Sequence, residues 1–208
     1  MKEKEQERLE KLKEIEKELY SKGIKRICGI DEAGRGPLAG PVVVAAVIMP
    51  EASFIEGVND SKKVSEKKRE KLYEEITENA IAWGVGIIDQ NEIDDLNILN
   101  ATKKGLTDAV TSLDAKPDII LVDALTGIDT LGIPYQSIIK GDAKSYSIAA
   151  ASIIAKVTRD RIMCEWDEIY PEYGFEKHKG YGTKAHIEVI KERGICPIHR
   201  KSFVKNFI

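Results

Sequence analysis

Two adjacent carboxylates, Asp31 and Glu32, stand at the head of a turn-forming run, and their neighbours indicate what chemistry they could perform. The segment Gly29 to Pro41 reads GIDEAGRGPLAGP, so the acids are followed by three glycines, two prolines and one arginine. Adjacent residues on a strand point to opposite faces. The pair therefore projects one way only if the backbone turns there, and the glycines permit that turn. They also let main-chain N–H groups approach a ligand closely. Carboxylates beside such a loop suggest a cation and a phosphate meeting at one place. An isolated acidic pair in a glycine-rich loop is more often merely solvated, so the rest of the chain has to supply partners.

Two further acids qualify by position. Asp123 closes the apolar run Asp118 to Val122, at the carboxyl end of a strand, where open α/β sheets display functional groups. Asp142, in KGDAK, lies just before a long alanine-rich helix and alone would read as an N-cap. Asp31, Glu32, Asp123 and Asp142 all fall where a strand ends or a helix begins, each beside small residues. No histidine or cysteine is near them in sequence, so an all-oxygen site would suit Mg²⁺ or Mn²⁺ and not zinc. Four clustered carboxylates repel one another unless cations bind. Two divalent ions would offset that charge and could support phosphodiester hydrolysis. Asp60 reads as ordering its own loop, and Asp89, Glu92, Asp94 and Asp95 as helix-start acids.

The elements that must position these groups follow from the hydrophobic pattern. Strands are expected at about 24–31, 41–49, 80–88, 118–123 and 135–139. Helices are expected at 2–20, from a Ser65 cap to Asn79, over 91–113 in one or two pieces, from Lys144 to Ile169, and from a Thr183 cap to a final end near Arg193. The class is α/β: a mixed sheet flanked by helices, with an N-terminal charged helix and a C-terminal helical segment. Residues 1–23 read as a charged helical extension and 24–208 as one catalytic domain. Leu9, Leu12, Ile15, Glu16 and Leu19 form the one thin stripe of the extension, which either packs on the body or extends from it.

At 208 residues, 42% of them hydrophobic and 32% charged, the composition is that of a globular domain with a sizeable core. No apolar run reaches membrane-spanning length, and the charged N-terminus has no signal-peptide core. Three separated cysteines, Cys28, Cys164 and Cys196, read as reduced thiols in a cytoplasmic protein. A net charge of −3 does not advertise a nucleic-acid binder, although a local basic surface can hide in an average.

Read together, GIDEAGRGPLAGP (29–41), DSKK (60–63), the strand ending in Asp123, KGDAKSYSIAAASIIAKVTRD (140–160), HKGYGT (178–183) and HRKSF (199–203) resemble the ribonuclease HII family, in family order from about Ile24 to Phe203. The resemblance implies a ribonuclease H-like fold and hydrolysis of the RNA strand of RNA/DNA hybrids, or of ribonucleotides embedded in duplex DNA. It implies Asp31, Glu32, Asp123 and Asp142 as catalytic, metal-binding acids for two Mg²⁺ or Mn²⁺ ions. The expected reaction is in-line attack by a metal-bound hydroxide on the phosphate 5′ to the ribonucleotide, leaving a 5′-phosphate and a 3′-hydroxyl. Asp31 is expected to bridge the ions, with Glu32 and Asp123 on one and Asp142 on the other.

The resemblance also assigns Gly34, Arg35 and Gly36 to sensing the 2′-hydroxyl, with the Tyr181 ring against the next, deoxy sugar. Lys62, Lys144 and Ser145 are candidate phosphate contacts. The expected partners are hybrid and ribonucleotide-containing duplexes, in the context of ribonucleotide excision repair, with the protein a monomer. Lys201 to Ile208 lacks the glutamine-led, paired-aromatic pattern of a clamp-binding peptide. The rivals are a ribonuclease HIII-like enzyme, normally with an added N-terminal domain for which about 23 residues are too few, and a non-catalytic nucleic-acid-binding module.

Overall fold

The computed structural model describes residues 3–208. In chain order the elements are α1 (Glu3–Leu12), α2 (Glu14–Ser21), β1 (Ile27–Ala33), β2 (Val42–Ile48), α3 (Glu66–Asn79), β3 (Ala82–Ile88), α4 (Gln90–Leu96), α5 (Ile98–Thr111), β4 (Ile119–Asp123), β5 (Tyr135–Ile138), α6 (Tyr146–Ile169), α7 (Phe175–His178), α8 (Lys184–Arg193) and α9 (Lys201–Val204). Single 3₁₀ turns lie at Ser61–Lys63, Gly141–Ala143 and Pro171–Tyr173. The sheet runs in the order β3-β2-β1-β4-β5. β1–β2 and β2–β3 are antiparallel, whereas β1–β4 and β4–β5 are parallel, so the expected mixed sheet flanked by helices is present.

β2 is buried along its whole length because both sheet faces are covered. Ala45 and Val47 face α6, with Tyr146, Ala149, Ala150 and Ile153 above them. Val44, Ala46 and Ile48 face Leu106, Ala109 and Val110 of α5. The helix α6 lies unusually close to β1: a Cβ at Gly29 would stand 2.0 Å from the carbonyl carbon of Ser147. A third apolar cluster ties Leu38 and Ala39 to Met163, Phe175, Ile190 and Ile198 in the C-terminal region. Among the described residues no helix is long and apolar enough to cross a membrane.

The structure moves several expected boundaries. β1 does not end at Asp31 but runs on through Glu32 to Ala33, because Asp31, Glu32 and Ala33 stay paired with Ala45, Val44 and Val43 of β2. The N-terminal helix is two helices, broken at Lys13, whose ammonium turns inward to the carbonyls of Glu51 and Ser53. It packs on the body: Leu9 and Leu12 join the α6-side core, and the Glu16 carboxylate is buried beneath the start of α6. Ser65 is the N-cap of α3, but its side chain makes no capping bond. Thr183 caps α8 as expected, accepting from the His186 N–H, but α8 is not the last helix, since α9 follows.

Candidate active site

The last bonded pair of the parallel β1–β4 ladder is Ile30 with Val122, both facing α5. The next residue on each strand is an acid, Asp31 and Asp123. The period-two alternation turns both to the α6 face, side by side. Glu32 takes the opposite face with its pair partner Val44. The two adjacent acids therefore reach the site from the two sides of a strand end, without the sharp turn at Asp31 that adjacency suggested.

Asp142 arrives from another element. The strand β5 ends at Ile138, and Lys140, in the left-handed region at φ 59°, turns the chain into the 3₁₀ turn Gly141–Ala143. That turn is fixed to the strand acid, since the Gly141 N–H donates to Asp123 Oδ1 across 2.7 Å. The side of Gly141 that a Cβ would occupy already holds Ile148 Cδ1, at 2.6 Å.

The electrostatics report the crowding. Asp31 is buried, and desolvation pushes its carboxyl well above the usual range, with the charges of Glu32, Asp123 and Asp142 adding to the shift. Burial raises Glu32 as well, against the opposing pull of the Arg35 guanidinium 3.4 Å away. Asp142 is raised by burial and by the charges of Asp60 and Asp123. Lys62 lies 3.9 Å from Asp142 Oδ2. Although Lys62 is exposed, the protein surface beside its ammonium displaces some water and would lower its pKa, but the surrounding carboxylates, Asp31 and Asp142 foremost, raise it. Among the described residues no three acidic, histidine or cysteine side chains stand close enough together to hold a metal ion as they are. The set nonetheless fits hard divalent cations: every donor is a carboxylate oxygen, and the acids repel one another in proportion to what such an ion would relieve.

Beyond β1 the loop curls back on itself. Gly34 has φ 97°, and a Cβ there would stand 2.0 Å from Arg159 Nε and 2.8 Å from the Pro41 carbonyl, so only glycine fits. Asp31, Glu32, Gly34, Arg35, Gly36, Lys62 and Tyr181 line one cleft. Gly36 faces the Tyr181 ring at ordinary contact distance, and a Cβ would lie 3.9 Å from Cε1. The Arg159 guanidinium stands 5.8 Å from the centroid of that ring.

Tyr181 is held from behind by histidines. The Cys196 N–H donates to His199 Nδ1 at 3.0 Å, which leaves the His199 proton on Nε2. That proton is given to His186 Nε2 at 3.0 Å, and His186 Nδ1 in turn donates to the Tyr181 carbonyl at 2.9 Å. Only a neutral pair satisfies this chain. Burial pushes both imidazoles down to about 4.

Two expected contacts are placed elsewhere. Ser145 has no exposed surface: its hydroxyl caps α6 by accepting from the Ile148 N–H and donates to Glu16 at 2.6 Å. This is a structural cap and not an open phosphate donor. Lys144 is exposed, but it borders a depression shared with Arg8, Lys11 and Leu12 of α1 and not the acidic cleft. Sequence reasoning placed Glu16 on the helical stripe without giving it a role and missed Arg159 and Arg200; all three are buried polar groups that hold the site from behind. The only sequence signal for the arginines is their place inside the KVTRD and HRKSF segments.

The family model described as Ribonuclease HII matches residues 28–206. A protein of Acetivibrio thermocellus named Ribonuclease HII is 64% identical over 193 residues, covering 93% of this chain and 75% of its own. The crystal structure of the ribonuclease H2 from Pyrococcus horikoshii OT3 superposes with a TM-score of 0.73 at 30% identity, covering 88% of this chain and 96% of that one. The ribonuclease HII in the PCNA complex from Archaeoglobus fulgidus does so with a TM-score of 0.70 at 32% identity, covering 84% and 93%.

Proposed function

As the chain belongs to the ribonuclease HII family and is a ribonuclease H hydrolase, we propose that it nicks duplex DNA 5′ to an embedded ribonucleotide, and hydrolyses the RNA strand of hybrids, by two-metal-ion catalysis. The observation that carries this reading is the meeting, along one cleft, of Asp31 and Glu32 with the Gly34–Gly36 loop and Tyr181, with Asp123 and Asp142 near enough for their charges to act on Asp31. Two divalent cations, Mg²⁺ or Mn²⁺, held there by the four acids would stabilise charge developing on the scissile phosphate and acidify the attacking water.

The remaining work falls to the chain itself. Lys62, beside Asp142, is suited to a phosphate oxygen at the edge of the cleft. The rigid Gly34–Gly36 main chain offers fixed hydrogen-bonding groups to a 2′-hydroxyl. Tyr181, facing Gly36, offers a flat surface to the next sugar, where a second 2′-hydroxyl would crowd the ring. Removal of ribonucleotides from DNA, as in excision repair, is the process such a nick would begin.

The test is a DNA duplex carrying one ribonucleotide, incubated with and without Mg²⁺ or Mn²⁺. Metal-dependent nicking that leaves a 3′-hydroxyl and a 5′-phosphate on the ribonucleotide is expected. Cleavage confined to long RNA tracts would overturn the single-ribonucleotide reading, and metal-independent binding without cleavage would overturn the enzymatic one.

A further inference from the structure

The guanidinium of Arg200 has no exposure to solvent and no carboxylate within ion-pair distance among the described residues. Its partners are four main-chain carbonyls of one loop: Gly40 at 2.9 Å from Nε, Arg35 at 3.1 Å from one terminal nitrogen, and Gly34 at 2.6 Å and Pro41 at 3.1 Å from the other. Arg159, equally buried, donates to Pro41, Ala39 and Lys179 from the other side. A buried cation without a counter-charge is expensive, and an apolar side chain would fill the same space at lower cost. A reason for the arginine lies in what its bonds do to the loop.

In a trans peptide the C=O of one residue and the N–H of the next point in opposite directions. Arg200 draws the carbonyls of Gly34 and Arg35 inward, so the N–H groups of Arg35 and Gly36 face away from it, toward the cleft that these residues line. Neither N–H has a hydrogen-bond partner among the described residues. Two adjacent, outward donors without a protein partner, on a pinned and exposed main chain, are free to exchange water for an acceptor oxygen of a ligand. A ribose 2′-hydroxyl supplies one and a deoxyribose does not.

The geometry points to Arg200 as the positioning residue for ribose discrimination: it fixes the direction of the Arg35 and Gly36 N–H groups and thereby sets the preference for a ribonucleotide over a deoxyribonucleotide. The inference rests on the cleft being the substrate site proposed above. Lysine at this position would keep the charge, but a single ammonium cannot span carbonyls on both edges of a guanidinium.

The experiment compares wild type with Arg200→Lys, measuring affinity by fluorescence anisotropy for a single-ribonucleotide duplex and for the same all-DNA duplex, with Ca²⁺ as a hard cation of low reactivity. The ratio of the two affinities is expected to fall about tenfold, the worth of one well-placed hydrogen bond, whatever loss the two affinities share. A lowered Tm with an unchanged ratio would reduce Arg200 to a structural residue and overturn the inference. A second measurement needs no variant: amide hydrogen exchange of Arg35 and Gly36 in the wild type. Rapid exchange in the free protein, slowed by the ribonucleotide duplex and not by DNA, is expected. Protection in the free protein, or equal behaviour with both duplexes, would overturn it. If wild type neither nicks nor discriminates, the functional reading itself fails and this inference with it; nicking by wild type with an unchanged ratio in the variant fails the inference alone.

Discussion

The Gly141 N–H donates to Asp123 Oδ1 across 2.7 Å, so the turn that carries Asp142 is anchored directly to the acid at the end of β4. Each sets where the other stands. Gly141→Ala would bring a Cβ to within 2.6 Å of Ile148 Cδ1, a side-chain end that can move only by disturbing the packing of α6 on the sheet. Overpacking of this kind costs about 1–3 kcal/mol. The expected outcome is a Tm lowered by several degrees in calorimetry, with a larger fractional loss of kcat than of duplex affinity.

Asp142→Asn removes one of the clustered charges while keeping the side-chain shape. Nicking of a single-ribonucleotide duplex is expected to fall by several orders of magnitude, with affinity for the duplex largely retained. Mn²⁺ binding, followed by the electron paramagnetic resonance signal of the free ion, is expected to weaken. Normal turnover with Mg²⁺ would remove Asp142 from the site.

Lys62 is exposed beyond its contact with Asp142, which leaves its ammonium open to the phosphate contact proposed for it. Lys62→Gln is expected to weaken binding to any duplex sequence and to reduce the slope of log affinity against log salt by about one. An unchanged slope in a salt titration would make Lys62 only a partner of Asp142.

Glu16 accepts from the Ser145 hydroxyl at 2.6 Å and from the Ser147 N–H at 2.9 Å, and its other oxygen, Oε2, is buried without a partner. Glu16→Ala would strand two buried donors at the start of α6, with a fall in Tm on the order of 5–15 °C. Glu16→Gln keeps an acceptor oxygen and removes a buried charge, so it is expected to remain close to wild type. Thermal melts of the two variants check both statements.

The His186–His199 pair gives stability a defined pH dependence. Both imidazoles are held near 4 by burial, below their ordinary value of 6.5, so the unfolded chain binds more protons than the folded one between those limits. Stability from the neutral pair is complete above pH 6.5 and is lost as pH falls toward 4, by a few kcal/mol. Tm measured from pH 7 to pH 4.5 is expected to fall less steeply in His186→Gln than in wild type. Parallel curves would show that the pair does not titrate there.

Much of this was legible in the sequence. Strand order of appearance, the α6 and α8 limits, and the four strand-end or helix-start acids follow from apolar runs ended by acidic and small residues. What was not legible depends on contacts between distant segments. The extension of β1 past Asp31 to Ala33 is imposed by pairing with β2 and has no signal in the acids themselves. Ser145 carries the pattern of an exposed loop hydroxyl, yet Glu16, 129 residues earlier, closes over it. Glu16 was visible on the thin stripe of the N-terminal helices, where a carboxylate is anomalous unless buried donors await it. Arg200 is one of many basic residues, and only the fold sets it beneath a loop 166 residues away.

The near-contact of α6 with β1 at Gly29, where main chain meets main chain, has a consequence for how the enzyme fails on heating. The gauge between the strand that carries Asp31 and the helix that follows Asp142 is set by backbone atoms and not by side-chain rotamers. Such a gauge does not loosen by degrees as side chains gain freedom. Alignment of the two is thus a property of the intact fold, so loss of activity on heating is expected to coincide with unfolding followed by calorimetry and not to precede it.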